Sequence, residues 1–300
     1  MLPSRVRHAI LGVMSGRNAD RHTATLAVLA LAGALLAGCD QKTPDHDVAA
    51  SSTKTSIAPA QPEPKAVLTL VPALTRGDLV DASRQAASAY VEGKRASEAD
   101  PLVGRSFAVR IAFGCNGPIS SEALKSQRDG LAGWSWGRDK KTIHISMTPG
   151  DWAGSALLAG TGAADKWEAV EGVWIPRPWL AAESCPAIQA DPLQTDVLSA
   201  SPQTVGLAAV FEAGSSRIGR RNGRAYEVTI SARGDESMKP PEGGYWMVLQ
   251  GRVTSFPSGR AIECRAPGPD QRPICIVAVQ LDRAAYEDAA GGSLSEWRTG

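Results

Sequence analysis

The chain has 300 residues, and its 32 Lys and Arg residues nearly balance its 31 Asp and Glu residues, giving a formal net charge of +1. This balance excludes a strongly basic nucleic-acid-binding protein and an acidic disordered tail, so no nucleic-acid partner is expected. Apolar residues make up 43% of the chain and charged residues 21%, as in an ordinary folded domain with one sizeable core.

The N-terminal 40 residues have the pattern of an export signal. Arg17 and Arg21 precede a charge-free run over residues 23–38, which leads directly into Cys39. The run is too short for a stable membrane-spanning helix, which needs about 20 residues. A basic flank, a short apolar segment and small residues before a cleavage site are typical of a secretory signal. An ordinary secreted protein, in which Cys39 has no special role, is the alternative.

The sequence Leu36-Ala37-Gly38-Cys39 resembles the lipobox of bacterial lipoproteins. The resemblance covers residues 1–40 only. It implies that a signal peptide over residues 1–38 is removed and that the Cys39 thiol carries a diacylglyceryl group. It therefore implies a cell-envelope protein that is held in a membrane by its lipid and faces the periplasm. Asp40 is similar to the signal that retains lipoproteins in the inner membrane, but the choice between inner and outer membrane stays open.

Residues 39–67, which begin with the lipidated Cys39, are expected to be a disordered tether. The segment holds four prolines and almost no large apolar residue, so burial cannot offset the entropy lost on ordering it. Residues 68–300 are expected to form a single β-rich globular domain. A split into two domains near residues 192–202, where the chain is polar and contains proline, is the alternative.

The predicted elements of this domain begin with a helix over residues 78–99, for which Asp78 is a possible N-cap. Alternating apolar and polar residues predict strands over 107–113, 134–136, 142–147, 167–175, 205–211, 225–232, 245–254 and 274–281. The strands at 134–136 and 142–147 are expected to form a hairpin, and a short helix is expected over 282–290. The predicted fold class is α+β and β-rich, with a mostly antiparallel sheet, an N-terminal helix and a short C-terminal helix.

Four cysteines of the domain are expected to form two disulfides, because an even number is typical of exported domains. Three pairings are possible. Cys264–Cys275 is favoured because the intervening residues contain three prolines and can turn the chain back. Cys115–Cys185 is then the second pair. A metal site is not expected, because the domain has no Cys-x-x-Cys motif and only one histidine.

One motif suggests catalysis. Ser135 lies in a Gly-x-Ser-x-Gly pattern, and Asp139 and His144 follow it in the order of a hydrolase triad. A charged turn and a second strand follow the serine instead of a helix, and a hairpin alone cannot bring these three side chains together. A hydrolase or cell-wall-modifying enzyme that uses Ser135 or Asp and Glu residues is therefore the alternative function. No cofactor is expected, because no complete dinucleotide or phosphate-loop motif occurs.

The tryptophans and a basic cluster supply the candidate contact residues. Trp174 and Trp179 flank Pro176-Arg177-Pro178, which is expected to be extended because a residue before proline avoids the helical region. Candidates for binding are Trp174, Arg177, Trp179, Trp134 and Trp136. Flat aromatic faces suit sugar rings and peptides, so peptidoglycan, another glycan or an envelope protein is the expected partner; core packing is the alternative.

The basic cluster contains Arg217, Arg220, Arg221 and Arg224 and surrounds Asn222-Gly223, which predicts a type I′ turn. Such arginines could contact anionic headgroups or phosphates, or they could simply cover a solvated hairpin tip. The sequence as a whole predicts a membrane-anchored envelope lipoprotein that acts as a binding or scaffolding module.

Overall fold

The computed structural model describes residues 71–94, 100–188 and 201–298, except 218, 233, 235 and 241. The expected signal peptide, Cys39, Asp40 and the tether lie outside the described residues, as does most of the expected linker at 192–202. Within the described ranges, no helix is long and apolar enough to cross a membrane.

Strands dominate the described part of the chain, which confirms the β-rich prediction. The helices are α1 (Arg76–Val91), α2 (Ser121–Ser126) and α3 (Ala163–Lys166), and a 3₁₀ turn spans Arg138–Lys140. The strands are β1 (Ser106–Phe113), β2 (Gly133–Trp136), β3 (Thr142–Met147), β4 (Gly150–Asp151), β5 (Trp167–Trp174), β6 (Val205–Glu212), β7 (Tyr226–Ser231), β8 (Tyr245–Val253), β9 (Ile262–Arg265), β10 (Ile274–Asp288) and β11 (Ser293–Arg298).

Helix α1 begins at a capping box. The Thr75 hydroxyl accepts a hydrogen bond from the Asp78 N–H at 3.3 Å, and the Asp78 carboxylate accepts from the Thr75 N–H at 2.8 Å. Asp78 is therefore the third residue of the helix and Thr75 is its N-cap. The hydrogen bonds from Thr75 hold the pKa of Asp78 below its usual value. The helix buries Leu79 and Val80 in the hydrophobic core.

The larger sheet is organised around β10. Its strands follow the order β1-β8-β10-β6-β5-β4, and β9 and β11 also pair with β10. The sheet is mixed because β6 runs parallel to β10, whereas the other pairs of named strands are antiparallel. Strands β5 and β6, which precede and follow the expected linker, are direct neighbours in this sheet.

The predicted helix over residues 282–290 is wrong, because β10 continues as a strand to Asp288. The strand pairs with β8 on one side and with β11 on the other. Tyr286 is fully buried there, and its hydroxyl donates a hydrogen bond to the Tyr226 carbonyl at 2.8 Å. These pairings and this burial outweigh the local preference of an alanine-rich segment for helix.

The smaller sheet has the order β2-β3-β7 and is antiparallel, which confirms the predicted hairpin of β2 and β3. Successive side chains of a strand point to opposite faces. One face of this sheet buries Trp134, Ile143 and Ile145 in the cluster that also contains residues of the larger sheet and α1. The opposite face carries polar residues, and it forms the floor of the site described below.

Both expected disulfides are present. Cys264–Cys275 joins β9 to β10 at directly opposed positions, and Cys115–Cys185 joins the loop after β1 to a segment 70 residues further along the chain. The pairing favoured from the sequence is thus confirmed.

Candidate functional site

A cleft of about 1150 Å³ lies on the polar face of the smaller sheet. Ser135, His144 and Thr229 lie side by side in register on β2, β3 and β7 and form part of its floor. Helix α2 and the residues around the Asn222-Gly223 turn contribute its walls. We call this feature the basic cleft, because five cationic residues line it: Lys125, Arg128, Arg138, Arg221 and Arg224.

The five cations of the basic cleft form no ion pair with any carboxylate that the structure describes. Within the described residues, none of them lies within ion-pair distance of a carboxylate. Glu227 is the one acidic residue among those that line the described cleft. The Arg128 guanidinium donates instead to the Lys125 and Gln127 carbonyls, at 2.9 and 3.0 Å. A concave surface with such an excess of positive charge attracts anions.

The structure divides the basic cluster predicted at 217–224 into two pairs. Arg217 and Arg220 both lie 2.8 Å from a carboxylate oxygen of Glu168 on β5. The hydrogen bond from Arg217, together with the charges of both arginines, holds the pKa of Glu168 below its usual value. Arg221 and Arg224 face the basic cleft. The first pair therefore fixes the segment to the larger sheet, and the second pair lines the basic cleft.

The predicted turn is present at Asn222-Gly223. Both residues have positive φ, 53° and 74°, and the Arg224 N–H donates to the Arg221 carbonyl at 3.0 Å. These features are typical of a type I′ turn. The turn is not the tip of a hairpin of adjacent strands, however, because β6 belongs to the larger sheet and β7 to the smaller one.

Glu171 anchors this turn from the larger sheet. Its side chain lies on β5 and the residue is only 8% exposed. The carboxylate accepts hydrogen bonds from the Arg221 N–H at 2.8 and 3.0 Å and from the Asn222 N–H at 2.8 Å. The Arg221 guanidinium lies over the Tyr226 ring, 4.5 Å from its centre. Burial, with the nearby Glu171 charge, raises the pKa of Tyr226 to about 12.

The structure brings two of the three hydrolase candidates together. Ser135 and His144 are directly opposed on β2 and β3. The His144 ring is held by Thr229, whose Oγ1 lies 2.9 Å from Nδ1. Asp139 lies in the 3₁₀ turn with a φ of 56°, and among the described hydrogen bonds none joins it to His144. The position that orients the histidine in a catalytic triad is thus occupied by a hydroxyl.

The candidate tryptophans lie mostly inside the domain. Trp134 is buried and meets Trp136 edge to face, with ring centres 5.2 Å apart. Trp174 packs on the Trp152 ring at 4.7 Å. Trp179 is the exception, because 53% of its surface is exposed.

Arg177 does not have the extended conformation expected from the following proline, since its φ is +54°. The backbone here is fixed by arginines of α1. Arg76 donates to the carbonyls of Arg177 and Leu180, each at 2.8 Å, and Arg84 donates to the Pro178 carbonyl at 2.7 Å. The Arg177 side chain itself donates to the Ala112 carbonyl. The charged group of Arg177 is therefore used in a contact within the domain.

Sequence reasoning missed Lys125, Arg128, Arg138 and Glu171. The three cations come from segments that no local pattern connects with the Asn222-Gly223 turn. Glu171 did leave a signal, because it interrupts the apolar stretch Ala169-Val170-Glu171-Gly172-Val173. A carboxylate in a buried strand requires hydrogen-bonding partners.

No cluster of His, Cys, Asp or Glu that could hold a metal ion occurs among the described residues. Comparisons with protein-family models, with curated proteins and with solved structures give no match for this chain. The domain is thus defined by its own features: a β-rich fold of two sheets with a basic cleft on the smaller one.

Proposed function

We propose that this protein is a lipid-anchored component of the bacterial cell envelope and that its folded domain is a binding module for an anionic ligand. The basic cleft is the proposed binding site. The single observation that supports it most is the convergence on one concave surface of five cationic residues that have no carboxylate partner in the described part of the chain. Cys39, in its lipobox-like sequence, is the proposed site of the lipid anchor.

The polar floor of the cleft supports binding more than hydrolysis. His144 is oriented by Thr229, and a hydroxyl cannot stabilise a charged imidazole as a carboxylate does. Ser135 lies inside a strand rather than on the sharp turn that presents a catalytic serine. The cations, by contrast, are placed where an anion can reach them from solvent. An anionic glycan such as peptidoglycan, or another anionic envelope component, is the proposed partner.

The proposal is tested with the full-length mature lipoprotein in detergent. The probe is fluorescent dextran sulfate, with uncharged dextran as the comparison ligand. We expect dextran sulfate to bind and the double variant R221Q/R224Q to weaken binding by about tenfold or more, because each change removes a charged donor. Binding should also weaken as salt is added, because salt screens exposed charges.

Arg252→Gln is the matched control. Arg252 is exposed on β8, outside the cleft, and makes no described ion pair, so its removal changes the net charge without changing the site. We expect its affinity to stay within about twofold of the parent. Equal binding of dextran, or equal losses in R252Q and in an R221Q variant, would contradict the proposed function.

A further inference from the structure

We infer that the ligand of the basic cleft carries a phosphate group, that Arg221 and Arg224 bind this group as a pair, and that Glu171 positions the pair. The inference rests on the proposed function of the cleft and adds the chemistry of the ligand and the residue that prepares the site.

Arg221 and Arg224 are held side by side by one β-turn. Residues at the two ends of such a turn have Cα atoms less than about 7 Å apart. The Arg221 Nε donates to the Arg224 carbonyl at 3.3 Å, and the Arg224 Nε donates to the Arg221 carbonyl at 3.1 Å. These reciprocal bonds fix both side chains near their base. Among the described hydrogen bonds, none uses Nη1 of Arg221 or either Nη atom of Arg224, so these donors are free for a ligand.

A pair of guanidinium groups fits a phosphate better than a carboxylate. One arginine can satisfy both oxygens of a carboxylate in a bidentate contact. A terminal phosphate presents three oxygens and carries about 1.5 to 2 negative charges at neutral pH, so it can occupy two arginines at once. The remaining cations of the cleft suit the further negative charge that a phosphorylated ligand brings.

Glu171 is the positioning residue of this pair. Its buried carboxylate binds the N–H groups of Arg221 and Asn222, which are 50 and 51 residues away in sequence. Strand β5 is paired on both sides, with β4 and with β6, so the carboxylate is a rigid support. Both N–H groups donate to the same oxygen, Oε1, each at 2.8 Å, so a glutamine oxygen could keep both contacts. Alanine at this position removes the acceptor, and the turn then loses both anchoring contacts.

The first experiment measures the affinity of the mature lipoprotein for pyrophosphate and for citrate, a carboxylate ligand of similar charge, by calorimetry. We expect pyrophosphate to bind at least about tenfold more tightly. The double variant R221K/R224K keeps both charges but loses the planar fork. The affinity of this variant should fall by about tenfold for pyrophosphate and by less than about threefold for dextran sulfate. Equal affinity for pyrophosphate and citrate, or retained pyrophosphate binding in R221K/R224K, overturns the inference.

These results separate the two proposals. If dextran sulfate does not bind the parent protein, the proposed function fails. If dextran sulfate binds while pyrophosphate and citrate are equivalent, the anion-binding cleft stands and only the inferred phosphate chemistry fails.

The second experiment tests Glu171 by a double-mutant cycle. Glu171→Ala should weaken pyrophosphate binding by about tenfold in the parent but have no further effect in R221Q/R224Q, because the residue acts through those arginines. A purely structural role would give the same loss in both backgrounds, which overturns the positioning role.

A second variant keeps this test valid if E171A does not fold. Gly223→Ala disturbs the exposed turn without touching the core, because Gly223 has a φ of 74° and open space around the added Cβ. Gly214→Ala is its control, since Gly214 also has a φ of 74° and open space but lies outside the cleft. We expect G223A alone to weaken pyrophosphate binding; equal effects of both substitutions contradict the inference.

The source of the phosphate is distinguished with two monomeric ligands that both end in a terminal phosphate, short-chain phosphatidic acid and glucose 1-phosphate. Binding of either one that depends on Arg221 and Arg224 supports the inference and identifies a lipid or a saccharide phosphate. Failure of both to bind at millimolar concentration overturns it.

Discussion

At the scale of single residues, Arg76 is the clearest example of a charge used to hold the fold. The residue is only 4% exposed, and its guanidinium donates to the carbonyls of Pro176, Arg177 and Leu180. Burial lowers the pKa of Arg76, and the neighbouring Arg177 charge adds to this effect. The segment that carries the exposed Trp179 is thereby fixed to α1, so Trp179 is presented on a rigid backbone.

Arg76→Ala should therefore lower the free energy of unfolding by about 2–4 kcal/mol, because three partly buried hydrogen bonds from a charged donor are lost. Urea titration followed by circular dichroism measures the change. Arg84→Ala is the comparison, since Arg84 donates to one carbonyl of the same segment, that of Pro178, from a side chain that is 54% exposed. We expect it to cost less than about 1 kcal/mol. Equal destabilisation by the two substitutions would show that Arg76 is not the anchor of this segment.

At the scale of whole elements, local sequence patterns predict some strands correctly and miss others. Strands such as β1 and β3 were predictable because each has a polar and an apolar face, and the alternation is visible within a few residues. The strand conformation at the end of β10 was not predictable from the sequence, because it depends on pairing with β8 and β11 rather than on its own alanines. The basic cleft was predictable only at Arg221 and Arg224, next to a recognisable turn. Arg128 and Arg138 reach the cleft through strand and helix packing that no local pattern encodes.

The disulfides give a prediction at the same scale. Cys264 and Cys275 are 11 residues apart, whereas Cys115 and Cys185 are 70 residues apart. Loop-closure entropy predicts that the shorter bridge stabilises the domain by about 3 kcal/mol and the longer one by about 4 kcal/mol. The double variants C264A/C275A and C115A/C185A are compared by urea denaturation. If C264A/C275A loses more free energy of unfolding than C115A/C185A, local pairing of β9 and β10, rather than loop closure, determines how much each disulfide stabilises the domain.

At the scale of the whole molecule, the proposal combines two parts of the chain with different tasks. The N-terminal segment is proposed to supply the membrane anchor, and the domain at residues 71–298 carries the basic cleft. Two acyl chains give stable anchoring where one does not. Anchoring would keep the cleft at the membrane surface, where a weak affinity for an anionic ligand is reinforced by the high local concentration.

Lipidation at Cys39 is the prediction on which this view of the molecule depends. Cys39→Ser removes the thiol that would receive the diacylglyceryl group, so we expect both acylation and signal-peptide cleavage to be lost. Metabolic labelling with a palmitate analogue measures the first, and the electrophoretic mobility of the precursor measures the second. Asp40→Ser is the matched control, because it changes the neighbouring residue but keeps the thiol, and its labelling should equal that of the parent. Unchanged labelling of the C39S variant would contradict the lipid anchor while leaving the proposed anion site of the domain open to its own test.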